Sequence, residues 1–111
     1  MRRGLVVAIM GLMMVGLGLA VAKLAPAGRV VMVDTDFVAV DYARTNAQVN
    51  GLSNCEALLS NGFSHVSPDL RFDLVVSNLP AKVGRELLFI LLSDARDRLA
   101  PGGRVVVVTI N

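Results

Sequence analysis

Five short apolar runs, each closed by glycine, proline or polar residues, limit what this chain can become. They fall at residues 5–10, 29–33, 55–59, 72–77 and 104–110. A strand with one wet face alternates apolar and polar residues, whereas a strand covered on both faces reads as a continuous apolar run. Continuous runs predict a parallel sheet, whose neighbouring strands must be joined by crossovers packed on the sheet faces. The intervening stretches supply them. Residues 16–24 predict a short helix with Lys23 near its C-terminus, closed by Pro26. Phe37, Val40, Ala43 and Ala47 recur at three and four, so 37–50 predicts a helix, with Asp36 as N-cap and Gly51 as its left-handed terminator. Leu88, Leu91, Leu92, Ala95 and Leu99 share one side of a helix over 85–99, with Arg96 and Arg98 turned to solvent. Residues 60–70 carry Gly62 and Pro68 and read as a loop, and Pro101-Gly102-Gly103 as a tight turn. The expected fold is one α/β domain over residues 1–111, a doubly wound parallel sheet of about five strands in three α/β/α layers.

The first segment has two readings. Residues 4–22 contain no charge, follow Met1-Arg2-Arg3 and end in small residues, and they concentrate the apolar excess of a chain that is 54% hydrophobic and 18% charged. Roughly 20 such residues span a bilayer, and a basic start with a small-residue exit describes a signal segment. The competing reading is a buried strand at 5–10, a break at Gly11 and a buried helix. The later units need a first βα unit to complete their sheet, which favours the buried reading.

Charge and reactive residues exclude several classes. The net charge is +2 with no basic block, so electrostatics alone does not argue for nucleic acid. Cys55 is the single cysteine, which rules out a disulfide within the chain and a cysteine-built metal site, and fits a reducing cytoplasm. His65 is also alone, in a loop with serine and proline, where a solvated side chain is the ordinary role.

In an open parallel sheet, ligands bind beyond the C-terminal tips of the strands, where strand order reverses. The residues there are 11–16, Asp34, 61–63 and 78–82. Asp34 ends the second run, 25 residues after Ile9. An acidic residue at about that distance grips a nucleotide's ribose, since a carboxylate accepts two hydroxyl bonds at once. The other reading is a strand-end carboxylate capping the next helix, a role that suits Asp36 better. Asn78-Leu79-Pro80-Ala81 places an amide and a rigid proline at a strand tip, which offers a side-chain acceptor and an unshared carbonyl to an amine nitrogen. An ordinary strand-ending turn uses the same residue types.

These segments resemble a known family. Val30-Val31-Met32-Val33-Asp34-Thr35-Asp36 and Ala43-Arg44-Thr45-Asn46-Ala47-Gln48-Val49-Asn50-Gly51-Leu52 are similar to the second βα unit of small-domain class I S-adenosylmethionine-dependent methyltransferases. That family includes enzymes that methylate guanine amines of ribosomal RNA. Leu59-Ser60-Asn61-Gly62-Phe63 resembles its adenine-contacting loop. The stretch Arg71-Phe72-Asp73-Leu74-Val75-Val76-Ser77-Asn78-Leu79-Pro80 resembles its Asn-Pro-Pro-aromatic strand, and Leu99-Ala100-Pro101-Gly102-Gly103-Arg104 its last turn. The resemblance implies a Rossmann-like fold, S-adenosylmethionine as cofactor, no metal, and methyl transfer to a nitrogen on RNA or on a small amine. It implies that Gly11, Asp34, Asn61 and Gly62 bind the cofactor, and that Asn78 and Pro80 form the catalytic motif. The family usually adds an antiparallel hairpin after the fifth strand, and this domain is expected to stop before it.

Two departures stand out. Laid without gaps, the family's acidic residue falls on Ile9 and its loop glycines on Gly11, Met13 and Val15. Side chains at Met13 and Val15 are expected to keep the backbone from the cofactor's methionine moiety, and Ile9 cannot meet its ammonium. Restoring Ile9→Asp, Met13→Gly and Val15→Gly together is then expected to strengthen binding at least tenfold, about 1.4 kcal/mol. The second departure is Asn-Leu-Pro-Ala itself, which loses the base-stacking aromatic at Ala81 and offers Lys82 to a phosphate or carboxylate instead. The alternatives are a degenerate or truncated domain without turnover, or a protein anchored to a membrane through residues 4–22.

Overall fold

In the computed structural model, residues 4–11, 15–80 and 85–110 are described. The first apolar run is the sheet's centre. Strand β1 (Val6–Met10) pairs in parallel with β2 (Arg29–Asp34) on one side and β4 (Phe72–Pro80) on the other. Strand β3 (Cys55–Leu59) flanks β2 and β5 (Leu99–Ile110) flanks β4, giving the order β3-β2-β1-β4-β5 with every pairing parallel. Helices α1 (Val15–Leu24), α2 (Phe37–Val49) and α3 (Arg85–Asp97) make the crossovers. Residues 4–22 are therefore not one apolar helix: five of them form the middle strand, and no helix among the described residues is long and apolar enough to cross a membrane.

Both faces of the central strands are covered, as their continuous apolar runs require, while at the edge Val106 and Val108 of β5 stay exposed. Val7, Ile9, Val30, Met32 and Val76 point to one face, where α1 brings Val15 and Ala22 and α2 brings Val40 and Ala43. Ala8, Met10, Val31, Val33 and Val75 point to the other, where they meet Phe63 and Val66 of the 60–70 loop and Ala95 of α3. The alternation along β1 thus assigns Ile9 and Met10 to opposite layers. Helix α2 starts as its sequence predicts, with Asp36 Oδ1 accepting the Val38 amide at 2.9 Å, and Gly51 follows its end at φ +65°.

Three boundaries differ from expectation by more than one residue. β4 runs on to Pro80 because β5 continues alongside it, Asn78 opposite Val108 and Pro80 opposite Ile110. β5 begins at Leu99, not at residue 104. Phe72 pairs with Leu99 and Leu74 with Arg104, so the Pro-Gly-Gly turn is a bulge inside the strand, with Gly102 at φ +79°. Helix α3 stops at Asp97, and Arg98 is turned not to solvent but onto the 60–70 loop.

Candidate functional site

The strand order reverses between β1 and β4: the chain runs from β1 outward to β2 and β3, then returns to the other side of β1. The β1–β4 ladder ends at the pair Met10 and Ser77, and beyond that pair a cleft of ≈ 270 Å³ opens, lined by Gly11, Asp34, Gly62 and Asn78 among others. An open cleft at a switch point is where this architecture holds ligands.

Each of these residues is held by its own strand or loop. Gly11 donates its amide to the Val33 carbonyl at 3.1 Å and takes φ +113°, a backbone state that side-chain-bearing residues rarely adopt. A Cβ at Gly11 would stand 3.7 Å from the Asn78 Cβ and carbonyl oxygen, so the tips of β1 and β4 face each other across the cleft floor. Asp34 ends β2. Its Oδ1 accepts the Asp36 amide at 2.9 Å, and its carbonyl accepts the Ser60 amide at 2.9 Å. The carboxylate is thereby oriented through one oxygen, and among the described residues nothing bonds the other. The two readings of Asp34 are compatible in this geometry: it braces the turn into α2, while Asp36 is the cap.

Gly62 sits at φ +59° in a loop knotted around Ser60, whose buried hydroxyl donates to the Gly62 carbonyl at 2.7 Å and accepts the His65 amide at 3.0 Å. His65 is exposed, its Nδ1 3.1 Å from the Ser64 hydroxyl. Asn61 is placed elsewhere. It is exposed and lines a depression with Ser64, Asp94 and Asp97, while its neighbours Ser60 and Gly62 line the cleft. Pro80 enters through its backbone position in β4, two residues beyond Asn78.

The departures in the glycine loop also find their places. Ile9 is 1% exposed and packs beneath α1, away from the cleft. Val15 is the first residue of α1 and joins the same core, and it also lines a small pocket with Gly11 and Asp34. Met13, Ala81 and Lys82 lie outside the described residues. Ser60, Ser77, Thr35 and Met10 line the cleft without having been singled out from sequence. The signal available for Ser77 was a serine directly after Leu74-Val75-Val76 and next to Asn78. No three His, Cys, Asp or Glu side chains gather to hold a metal ion among the described residues. Cys55 stands far along β3 from the tips, and burial, followed by the Glu56 charge, raises its thiol above the ordinary range.

A five-stranded parallel sheet with β1 central, helices on both faces and a cleft at the β1/β4 tips defines a Rossmann-like α/β domain. The sequence model for the methyltransferase small domain matches residues 11–111, and the chain belongs to that family. It is 31% identical to the ribosomal RNA large subunit methyltransferase G of Shewanella amazonensis, over 83% of this chain and 26% of that protein. It is 30% identical to the release factor glutamine methyltransferase of Rhodopirellula baltica, over 82% of this chain and 40% of that protein. Among solved structures, the ribosomal protein L11 methylase of Lactobacillus delbrueckii subsp. bulgaricus superposes with a TM-score of 0.74 at 29% identity, covering 96% of this chain and 52% of that one. The chain spans 15% to 40% of the length of the curated relatives it matches.

Proposed function

We propose that this chain is the core of an S-adenosylmethionine-dependent methyltransferase that transfers a methyl group to a nitrogen, on RNA. The observation that carries the reading is the meeting of Gly11, Asp34, Gly62 and Asn78 in one cleft at the switch point. The cleft has features the cofactor needs. Gly11 exposes bare backbone, which lets a ligand lie against the tip of β1. Asp34 has an oriented carboxylate with one oxygen unbonded among the described residues, suited to the ribose hydroxyls. Gly62 and Ser60 form the adjoining wall. With Ile9 buried, the groups among the described residues that can face the methionine ammonium are neutral carbonyls at Gly11 and Asn78, which puts more of the affinity on the nucleoside half.

When bound, the cofactor supplies an electrophilic methyl group on a sulfonium. The protein's share is alignment, which is what a displacement at carbon demands. The Asn78 side-chain oxygen accepts an N–H of the incoming amine and turns its lone pair toward the cleft, and Pro80 stiffens the strand tip that carries Asn78. The family relationship supports methyl transfer. The ribosomal RNA methyltransferase relative supports the RNA acceptor, with phosphate contacts supplied from outside these residues, since no basic block is present.

Calorimetric titration with S-adenosylhomocysteine and with adenosine tests the cleft. Binding of both, with similar loss in Asp34→Ala, is the expected result. Absence of binding to either overturns the reading. Incubation with methyl-labelled cofactor and either ribosomal RNA or ribosomal protein then tests the acceptor, and label in protein alone overturns the RNA assignment.

A further inference from the structure

We propose that Arg98 is a positioning residue for this cleft: its guanidinium latches the loop over residues 60–67 and thereby sets the affinity for a bound nucleoside. The inference rests on the reading of the cleft given above.

Arg98 follows α3 directly, 31 to 35 residues away in sequence from the groups it binds. Nη1 donates to the Val66 carbonyl at 3.3 Å and to the Ser67 carbonyl at 3.1 Å, and Nη2 donates to the Phe63 carbonyl at 3.3 Å. The same guanidinium carbon stands 5.3 Å from the centre of the Phe63 ring, which in turn lies 5.9 Å from the ring of the fully buried Phe72 on β4. One planar group therefore collects three carbonyls and one aromatic face. Arginine provides the several donors and the flat face for this, and lysine provides neither arrangement.

The loop's own bonds are short-ranged: the Ser64 amide to the Asn61 carbonyl, the Val66 amide to the Phe63 carbonyl, and the Ser60 hydroxyl knot. They shape the turns but do not fix the loop to the sheet. At the Phe63–Ser67 end that attachment comes from the burial of Phe63 and Val66 against the sheet and from Arg98, while the Ser60 amide ties the other end to β2. The cleft end of the same loop carries Ser60 and Gly62, and the Ser60 amide is bonded to the Asp34 carbonyl. A loop released at Phe63–Ser67 shifts the wall beside Asp34, so the latch acts on ligand binding without touching the ligand.

The test uses Arg98→Ala and Arg98→Lys, with the exposed neighbour Arg96→Ala as control. Affinities for S-adenosylhomocysteine and adenosine are measured beside amide hydrogen exchange of Ser64 and Val66. Both Arg98 variants should weaken both ligands by roughly tenfold, the effect of losing about one charge-assisted hydrogen bond, and speed exchange at both amides, with Arg96→Ala unchanged. If Arg98→Ala does not fold, Arg98→Lys carries the test. Unaltered affinity in a folded Arg98 variant overturns the latch, even where its melting temperature falls, because a purely structural arginine would lower stability alone. Full retention by Arg98→Lys also overturns it, since charge without the fork would then suffice. No binding by the unsubstituted chain removes the reading of the cleft itself, and this inference with it.

Discussion

Ile9→Asp restores the acidic residue that the family carries near the end of its first strand, and the structure predicts that it damages the protein instead of improving it. Ile9 is 1% exposed, between Val7, Val30 and Met32 on the face beneath α1. The helix rests close to it: a Cβ built on Gly18 would lie 3.6 Å from Ile9 Cγ1. Losing a buried aliphatic side chain of this size costs about 2–5 kcal/mol. A carboxyl left there without a partner adds about 1–3 kcal/mol even when neutral. The total, about 5.5 kcal/mol at the middle of those ranges, reaches the lower end of the whole stability of a small domain, roughly 5–15 kcal/mol. Urea denaturation followed by circular dichroism, with Ile9→Ala alongside, measures it. The pH dependence has a definite sign. Burial raises the folded carboxyl above its unfolded value of about 3.9, so the Asp variant is least destabilised below that value and loses stability as pH rises through the folded one. The difference between the Asp and Ala variants should widen from pH 4 to pH 7. An Ile9→Asp protein within about 1 kcal/mol of the unsubstituted chain, binding S-adenosylhomocysteine more tightly, would show that position 9 reaches the cleft and that the placement of β1 is wrong. The same result would reinstate the tenfold gain expected of the three restorations together.

Three further outcomes follow from the site and its surroundings. Asp34→Ala should weaken S-adenosylhomocysteine by about 1.5–3 kcal/mol for each ribose bond lost, read by titration, while Asp36→Ala costs about 1 kcal/mol of helix stability and leaves affinity nearly unchanged. Gly11→Ala should cost about 1–3 kcal/mol in thermal or urea unfolding, because φ +113° strains any side chain even though the Cβ contacts at 3.7 Å are ordinary. Alkylation of Cys55 should be slow at pH 8 and rise only above the usual thiol range, and Glu56→Gln should move that rise to lower pH; a rate already at its plateau at pH 8 would contradict the raised thiol.

Much of the fold was legible because its elements carry local instructions. The boundaries of β3 agree with the sequence reading, and the Asp36 cap and Gly51 terminator mark both ends of α2 through backbone chemistry that needs no knowledge of the sheet. What escaped depends on partners distant in sequence. β4 continues through Asn78 to Pro80, past residues that read as a stop, because β5 offers bonding partners that far. Arg98 has the look of a solvent-facing helix residue, and it is the three carbonyls of a loop more than thirty positions away that turn it inward. Residues 4–22 could not be settled by hydropathy, since a central parallel strand and a membrane segment have the same need, apolar side chains all round.

The glycine loop shows how one strand's pleat changes the meaning of a substitution. Comparison without gaps places the lost acidic residue on Ile9 and a lost glycine on Val15, and both side chains belong to the core between the sheet and α1. The neighbour of Ile9 on the opposite face, Met10, lines the cleft instead, and a Cβ on Gly62 would lie 3.9 Å from its Cε. A period of two therefore separates a change that repacks the interior from one that reshapes the site. Val15 packs into the seat of α1 beside a small pocket it shares with Gly11, whose φ is +113°. The polar residues of the site sit where strands or their pairings end: Asp34 closes β2, Ser60 follows β3, and Ser77 and Asn78 lie where the β1–β4 ladder stops. The apolar demand of a doubly covered sheet thus confines this domain's chemistry to its strand tips, and the changes along β1 and α1 that the core absorbs leave that edge open.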